Sequence, residues 1–448
     1  MPLSTQTRAR LEQMLGLWDQ LVDPKVGIIQ RIEELPVDDD DPDFFHYFSK
    51  ACDASRFTAM RNFGDNGGAS TDRYSAIAKA MGEAIERYCS AIYDPAGFRF
   101  AAHRELNLRA VHPELLTMYL PEQYLSEGFL WHPFTVDTPV HWTPARSLVT
   151  GERVFVPAAA VYIPFHYHGA TRSAFILQPI STGLACGGSI AEATISGLCE
   201  VLERDAFTIT WQAMMSCPVI RHETLPAFGC DLVSRFEAVG IRVYLMDITT
   251  DIGVPAIMTV GVSNAETSPA VAVAAAADPS PERCLLKSLD ELAHTRMYAR
   301  QLLRYTPPLP VEVDRGHPLV KDQRDHLRFY CPQYAKPFAE FAWSSTRQID
   351  LCDEPDLSAG SPSEQLRKLV ENTVAAGLEP LVVELTTPDV AELGLHVVRV
   401  VVPGAHPLYM GHRNRALGVT RLYEVPRKLG HRGLARNEPD NPYPHPFP

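Results

Sequence analysis

The chain has 448 residues, 46% hydrophobic and 21% charged, so it can bury a sizeable core and is not a wholly disordered protein. Its length allows one very large domain or two to three smaller ones. Asp and Glu outnumber Lys and Arg by 54 to 41, and the formal net charge of −13 argues against nucleic acid or an anionic membrane as the main partner.

Targeting features are missing from the sequence. No segment approaches the about 20 apolar residues that span a bilayer, and the first residues lack the apolar region of a secretory signal. The nine cysteines form no CxxC pair, which predicts reduced packing residues and not a disulfide or zinc framework. We therefore expect a cytoplasmic protein.

Hydrophobic spacing predicts helices and strands in a mixed order. The predicted helices are 6–22, 72–92, 189–215, 281–305 and 363–376. The predicted strands are 26–32, 154–165, 241–249, 254–262, 270–276, 381–386 and 396–404. Without a strict βαβ rhythm, this order predicts an α/β or α+β fold around a mostly antiparallel sheet.

The connecting segments carry their own signals. Gly-rich turns, NGGAS at 66–70 and ACGGS at 185–189, precede the second and third predicted helices. The acidic run 38–41 predicts a solvated turn, and 110–150, which has no clear period, predicts a long surface excursion. His166 and His168 lack an evident third metal ligand, which favours loop or surface histidines.

One helical pattern, ExxER, occurs twice. The copies are Glu83, Glu86 and Arg87 in the predicted helix 72–92 and Glu200, Glu203 and Arg204 in the predicted helix 189–215, 117 residues later. Residues three apart share a helix face, and Glu192 and Ser196 extend the polar stripe of the second copy.

Stacked like charges destabilise a helix unless a cation balances them. Magnesium would do so, because it takes carboxylate oxygens together with substrate phosphate oxygens. The arginine after each pair would hold a phosphate through two hydrogen bonds. The alternative is a solvated surface cluster, which is the common role of such Glu and Arg residues. The duplication and the matching glycine turns favour a shared nucleotide–metal site.

Together, GEAIERYCSA and GLACGGSIAEATISGLCEVLERDA resemble the paired ATP-binding signature of the YcaO family. Residues 21–32, 288–300 and 382–408 resemble further stretches of that family, so the resemblance covers about residues 20–448. It implies the YcaO fold, with internal pseudo-symmetry and a mostly antiparallel sheet flanked by helices. It also implies an N-terminal helix and first strand over 1–55 and an ATP-binding catalytic domain over 56–448.

The resemblance further implies a site for ATP and two magnesium ions, carried over position by position. The implied magnesium ligands are Glu83, Glu86, Glu192, Glu200 and Glu203. The implied nucleotide contacts are the same glutamates with Arg87, Arg204, Arg296, Ser70, Ser189 and Lys79.

Four positions depart from the family pattern. Many members have Ser where this chain has Lys79, and Lys where it has Ala69, so Lys79 would supply the charge that Ala69 lacks. Gly188 stands where Asn is frequent, and His294 where Gln is frequent. These changes affect the expected nucleotide contacts more than the expected fold.

The chain ends in NPYPHPFP, with a proline at every second position from Pro442 to Pro448. Such spacing favours a stiff polyproline II segment, and the alternative is a frayed terminus. The ending resembles that of azoline-forming YcaO proteins, in which the tail lies in the active site. By that resemblance the carboxylate of Pro448 is a catalytic base or positioning group.

The resemblance implies an ATP-dependent cyclodehydratase that makes thiazoline or oxazoline rings from Cys, Ser or Thr of a ribosomal precursor peptide. The chain is short for a protein that also carries a leader-binding domain, so a ThiF-like (E1-like) partner is expected. A flavin dehydrogenase would act afterwards, and the family analogy implies a homodimer. The alternatives are thioamide formation with a TfuA-type partner, amidine formation, and a non-catalytic nucleotide-binding accessory subunit.

Overall fold

The structure is a computed structural model that describes residues 5–58, 60–167, 173–309 and 319–447. Within these ranges the strands are β1 (Ile29–Glu34), β2 (Phe45–Ala51), β3 (Asp65–Ser70), β4 (Arg99–Ala101), β5 (Val140–Ser147), β6 (Arg153–Pro157), β7 (Leu184–Gly187), β8 (Val219–Ile220), β9 (Ile241–Asp247), β10 (Ala256–Ser263), β11 (Val271–Ala277), β12 (Gln348–Ile349), β13 (Leu381–Glu384) and β14 (His396–Val401).

The helices in the same ranges include the long helix predicted over 281–305, which the structure confirms at both ends. They are α1 (Thr5–Gly16), α2 (Trp18–Leu21), α3 (Arg73–Ala91), α4 (Pro121–Tyr124), α5 (Ile190–Gln212), α6 (Ala227–Glu237), α7 (Pro281–Tyr305), α8 (Gln323–Phe329), α9 (Pro362–Ala375), α10 (Pro388–Glu392) and α11 (Arg421–Lys428). Among the described residues, no helix has the length and apolar character needed to cross a membrane.

The chain forms two compact units, each assembled from three segments. Unit 1 takes its residues from Met1–Pro36, Phe45–Val201 and Gly360–Ala405, and unit 2 from Val37–Phe44, Leu202–Ala359 and His406–Pro448. The boundary at Val201 falls within α5, so this helix contributes residues to both units.

Unit 1 contains two antiparallel sheets. The first has the order β1-β2-β3, and the second has the order β4-β5-β13-β14-β7 with β6 added on β5. Its core includes the fully buried side chains of Met81, Ile85, Trp142 and Val397. Strand β5 lies within the range predicted as a surface excursion, and its alternating buried side chains explain its place in the sheet.

The segment predicted as the first glycine turn is a strand. Residues 65–70 form β3, which pairs with β2 and packs under α3. A Cβ atom at Gly68 would lie 2.4 Å from the carbonyl oxygen of Ala76, so the glycine is required by the close approach of helix and strand. The chain turns only at the following residues, where Asp72 caps α3 by accepting a hydrogen bond from the Ser75 N–H.

Unit 2 contains a five-stranded sheet in the order β11-β10-β9-β8-β12, antiparallel except for the β8–β12 pair. Helices α6 and α7 contribute Phe236, Leu285 and Leu292, all fully buried, to its hydrophobic core. The alanines of β11 are buried too, because small side chains allow α7 to approach the sheet. The strands predicted over 241–249, 254–262 and 270–276 are confirmed as β9, β10 and β11.

The acidic run contains the predicted turn, and Asp38 and Asp39 are exposed, but Asp41 is buried. Asp41 Oδ1 lies 2.7 Å from Arg296 Nη1, and each of these side chains is only 3% exposed. Arg300 also contacts Asp41, and Arg304 Nη2 lies 2.9 Å from Asp38 Oδ2. The four-residue spacing of these arginines places them on one face of α7. The charge run therefore docks on that helix.

Two carboxyl groups of unit 2, those of Asp247 and Glu354, allow a test based on how stability depends on pH. Thr249 donates to both carboxyls, from its backbone N–H to Asp247 (2.8 Å) and from its hydroxyl to Glu354 (3.0 Å). Burial, with the like charge of Asp247, raises the pKa of Glu354 to about 8. The folded state therefore keeps a proton that the unfolded chain loses above about pH 4.5, so stability falls as pH rises from there to about 8.

Glu354→Gln removes this titration, so its Tm is expected to fall less than that of the native chain between pH 5 and pH 8, by a few °C. Thermal unfolding followed by circular dichroism measures the difference. Exposed Glu340→Gln, in the same unit, is the control and should keep the native slope. Parallel curves of Tm against pH for Glu354→Gln and the native chain would contradict the raised pKa of Glu354.

Candidate functional site

Both copies of the ExxER pattern follow the same local arrangement of strand, short turn and helix. Strand β3 leads into α3, and β7 leads into α5. At the second copy, a Cβ atom at Gly187 would lie 2.8 Å from the amide nitrogen of Ala193, so a small residue is again required. Ser189 accepts a hydrogen bond from the Glu192 N–H (3.3 Å) at the start of α5.

Three of the predicted glutamates in unit 1 accept backbone hydrogen bonds. Glu83 accepts from the Gly67 N–H (2.8 Å) and Glu200 from the Gly183 N–H (3.0 Å). Glu86 reaches from α3 to β7, where it accepts from the Cys186 N–H (2.7 Å). The first ExxE pair is thereby tied to the strand that leads into the second.

The charges of Glu83 and Glu200 act on the carboxyl group of Glu86. Burial raises the pKa of Glu86 to about 8, and the charges of Glu200 and Glu83 add to the shift. The Arg87 guanidinium, 3.2 Å from Glu83, offsets part of the negative charge. Because a cation favours the ionised form of a carboxyl group, a divalent ion suits this donor set.

The carboxylates do not form a closed metal cage. Over the described ranges, no group of three or more His, Cys, Asp or Glu side chains is arranged to hold a metal ion unaided. Magnesium is usually held by one or two carboxylates together with phosphate oxygens and water. The arrangement therefore fits a metal that arrives with a phosphate-bearing ligand.

Arg399 is a component that the sequence analysis missed. It lies on β14, opposite Val383 of β13 and Leu184 of β7, and its side chain is buried. Its Nε and Nη1 have no hydrogen-bond partner among the described residues. Burial lowers its pKa to about 10, against the opposing charge of Glu200. Donors left open beside carboxylates suit an anionic group such as a phosphate.

Lys79 lies where the sequence analysis expects a compensating charge. Its Nζ donates to the carbonyl oxygen of Ala69 at the end of β3 (2.9 Å). Ser70, the next residue, is buried and accepts from the Asp72 N–H (3.3 Å). The ammonium group therefore reaches the position at which the chain lacks a lysine, and its contact with a nucleotide stays a prediction.

Glu192 has a cationic partner outside the predicted set. Its Oε1 lies 2.5 Å from Nη2 of Arg10 on α1. The sequence analysis predicted the N-terminal helix but gave it no role at the site. Glu192 is therefore neutralised by a side chain far away in sequence.

The second pattern continues into unit 2. Glu203 and Arg204 are mostly buried, and Arg204 Nε lies 3.4 Å from Glu203 Oε1. The next residue, Asp205, is fully buried and accepts from the Arg421 Nη2 (2.6 Å) and from the His406 N–H (2.7 Å). These contacts fix this part of α5 against the C-terminal segment of the chain.

The proline-rich tail is docked as far as Phe447. The Phe447 ring is 3% exposed and lies 4.4 Å from the Phe207 ring. The Arg204 guanidinium carbon lies 4.2 Å from the centre of the Phe447 ring, within the range of a cation–π interaction. Pro448 lies outside the described residues, as does His168.

Hydrogen bonds also hold the tail. Tyr330 donates its hydroxyl to the carbonyl of Pro444 (2.8 Å), and His326 Nδ1 lies 2.8 Å from the carbonyl oxygen of His445. The two imidazoles stack at 3.9 Å. Burial lowers the pKa of His326 to about 3 and that of His445 well below its usual range, so both rings are neutral. The described tail is therefore an ordered part of unit 2.

Arg296, a predicted nucleotide contact, is already paired with other residues of the protein. Besides Asp41, it donates to the Ser268 hydroxyl (3.1 Å) and to the carbonyl of Asp40 (3.2 Å). Its Nε has no hydrogen-bond partner among the described residues, and its role as a nucleotide contact stays a prediction.

Comparison with known proteins adds the family. The model of the YcaO cyclodehydratase family, described as ATP- and Mg²⁺-binding, matches residues 67–406. An uncharacterised protein of Methanothermobacter thermautotrophicus is 30% identical over 362 residues, which cover 78% of this chain and 85% of that protein.

Two solved structures show the same fold at 22% identity. A heterocyclase in complex with substrate and cofactor gives a TM-score of 0.77 and covers 98% of this chain and 57% of that one. YcaO from Methanopyrus kandleri, bound with AMPPCP and Mg²⁺, gives a TM-score of 0.64 and covers 88% of this chain and 90% of that one. This chain thus spans little more than half the length of the heterocyclase.

Arg399 provides a test of the site that needs no knowledge of the reaction. In Arg399→Met, the loss of an incompletely paired buried charge should leave Tm unchanged or raised. Binding of inorganic triphosphate with Mg²⁺, measured by calorimetry, should weaken at least about tenfold. The control is Arg146→Met, an exposed arginine of the same sheet. A lower Tm with unchanged triphosphate binding would instead indicate that Arg399 stabilises the fold as a partner of Glu200.

Proposed function

The chain belongs to the YcaO family, and on that premise we propose that it is an ATP-dependent cyclodehydratase acting on a ribosomal precursor peptide. The product would be a thiazoline or oxazoline ring made from Cys, Ser or Thr. The observation that carries the proposal is the group of glutamates around half-buried Glu86, with the open donors of Arg399 in the same unit.

ATP and Mg²⁺ are the cofactors of this family. When bound, ATP would supply the phosphoryl group that turns the amide oxygen of the peptide into a phosphate leaving group, and Mg²⁺ would neutralise its charge. Glu83, Glu86, Glu192, Glu200 and Glu203 are the proposed magnesium ligands. The proposed nucleotide contacts are Arg87, Arg204, Arg296, Arg399, Lys79, Ser70 and Ser189. Of these, Arg296 has the weakest support because Asp41 already holds it.

The proposed chemistry balances as a dehydration. A substrate thiol or hydroxyl adds to the carbonyl carbon of the preceding residue, and the former carbonyl oxygen then leaves as phosphate. The side-chain proton and the amide proton are both lost. Fixed cationic donors such as Arg87 and Arg204 would stabilise charge on the transferring phosphoryl group.

The tail would supply the base. The buried contacts of Phe447 hold this residue beside Arg204, and the carboxylate of the next residue, Pro448, is proposed to accept a proton from the substrate. This docked ending favours azoline formation over the thioamide, amidine and accessory-subunit alternatives.

The partners follow from the same proposal. The precursor peptide is the substrate, and a ThiF-like (E1-like) protein would bind its leader. A flavin dehydrogenase would oxidise the azoline afterwards. We propose that residues 56–448 form the catalytic region, that 1–55 contribute the N-terminal helix and first strand, and that two copies form a homodimer.

Reconstitution with a precursor peptide and its leader-binding partner tests the reaction. The native chain should release phosphate while the peptide loses one water for each ring. Glu203→Gln, which keeps the shape but not the charge, should reduce both by about 10²–10³-fold with Tm nearly unchanged. Exposed Glu282→Gln is the control. Exchange of oxygen for sulfur in the peptide would instead identify a thioamide-forming enzyme, and nucleotide binding without any turnover an accessory subunit.

Two changes at the tail separate chemistry from packing. Deleting Pro448 alone should abolish ring formation with little change in Tm, because the deletion keeps the buried side chain of Phe447. Phe447→Ala should instead cost about 3–5 kcal/mol of stability, as expected for a buried aromatic side chain. Mass spectrometry of the peptide and thermal unfolding give the two measurements. A fully active chain without Pro448 would exclude its carboxylate as the base.

A further inference from the structure

Arg10, a side chain outside the predicted set, forms an ion pair with Glu192, which is a predicted magnesium ligand. Its guanidinium holds Oε1 of Glu192 at 2.5 Å, and the Glu192 side chain is 17% exposed. Both residues belong to unit 1. The pair joins the N-terminal helix α1 to the first turn of α5.

Packing fixes the position of α1. Met14 and Leu17 pack against the hydrophobic core of unit 1, which anchors the C-terminal end of the helix. Gln13 lies beside the second glycine turn, since a Cβ atom at Gly188 would lie 3.1 Å from its Oε1. The same Cβ atom would lie 3.4 Å from Oε2 of Glu192. The two oxygens of Glu192 therefore have different surroundings: Arg10 holds Oε1, and Oε2 lies beside Gly188.

We infer that Arg10 is a positioning residue for magnesium binding, which it serves by holding Glu192 so that Oε2 remains available beside the glycine turn. This inference rests on the proposed function, in which Glu192 is a metal ligand. It assigns α1 a part in the site.

Two physical arguments support this role over a purely structural one. An ion pair whose arginine is 44% exposed adds little to folding stability. In contrast, hydrogen-bonded partners of metal-ligating carboxylates fix the orientation of the ligand, and their loss typically weakens metal binding by 10–100-fold. Glu192 lies in the first turn of α5, where its long side chain has several rotamers unless a partner selects one.

The test compares three variants by calorimetry with ATP, once with Mg²⁺ and once in EDTA. Arg10→Ala should weaken the magnesium-dependent binding about tenfold and leave the metal-free affinity for ATP unchanged. Arg10→Lys should restore part of the loss, because a lysine can also hold a carboxylate. Arg8→Ala removes the same charge from an exposed position of the same helix and should bind like the native chain.

The other outcomes would overturn the inference in distinguishable ways. Unchanged binding in Arg10→Ala would reduce the pair to a surface contact, and tighter magnesium binding would make Arg10 a competitor of the metal. An equal loss in EDTA would mean that Arg10 contacts the nucleotide itself. If the native chain failed to bind ATP with Mg²⁺, the proposed function would fall and this inference with it.

Discussion

The desolvation of one carboxyl group, that of half-buried Glu86, is the constraint on which the site depends. Removing a carboxylate from water costs several kcal/mol unless hydrogen bonds and opposite charges offset the loss. Glu86 receives one backbone hydrogen bond, from Cys186, while the nearby charges of Glu83 and Glu200 add to the cost. The same unit holds Arg399 with two donors unpartnered in the described structure. Surplus acceptors and surplus donors in one region are what a metal with a phosphate-bearing ligand would satisfy together.

Local signals in the sequence predicted most of the fold. Helix α7 and strands β9, β10 and β11 have hydrophobic patterns that match their periods, and the structure confirms them. The glycine turns were partly wrong, because glycine marks a close approach of backbones as well as a turn. In β3 the approach of α3 requires Gly68, and the segment still pairs as a strand. The two ExxE pairs lie on helices, as predicted, and the three-residue spacing places each pair on one helix face because three residues are almost one helical turn.

The remaining components depend on contacts between residues far apart in sequence. Nothing local distinguishes Arg399 from any arginine in a hydrophobic strand, and its neighbour Glu200 is distant along the chain. Arg10 likewise belongs to an ordinary polar helix face until the fold brings it to Glu192. For the acidic run 38–41, the local composition did give a prediction, namely that the side chains are exposed to solvent. The arginines spaced along α7 override that prediction by pairing with Asp41, where the side chains are buried.

Helix α5 links the predicted acidic pattern to the position of the chain terminus. Arg204 faces the Phe447 ring, while the adjacent Asp205 binds Arg421, whose pKa is raised by the charge of Asp205 despite burial. Further along the helix, the backbone of Trp211 and Gln212 receives hydrogen bonds from Asn441. Residues of a single helix therefore contact the described tail at Asn441 and at Phe447, within unit 2. The helix that carries Glu203 thus also fixes the position of Phe447, and a catalytic group gains most when a rigid element positions it in this way.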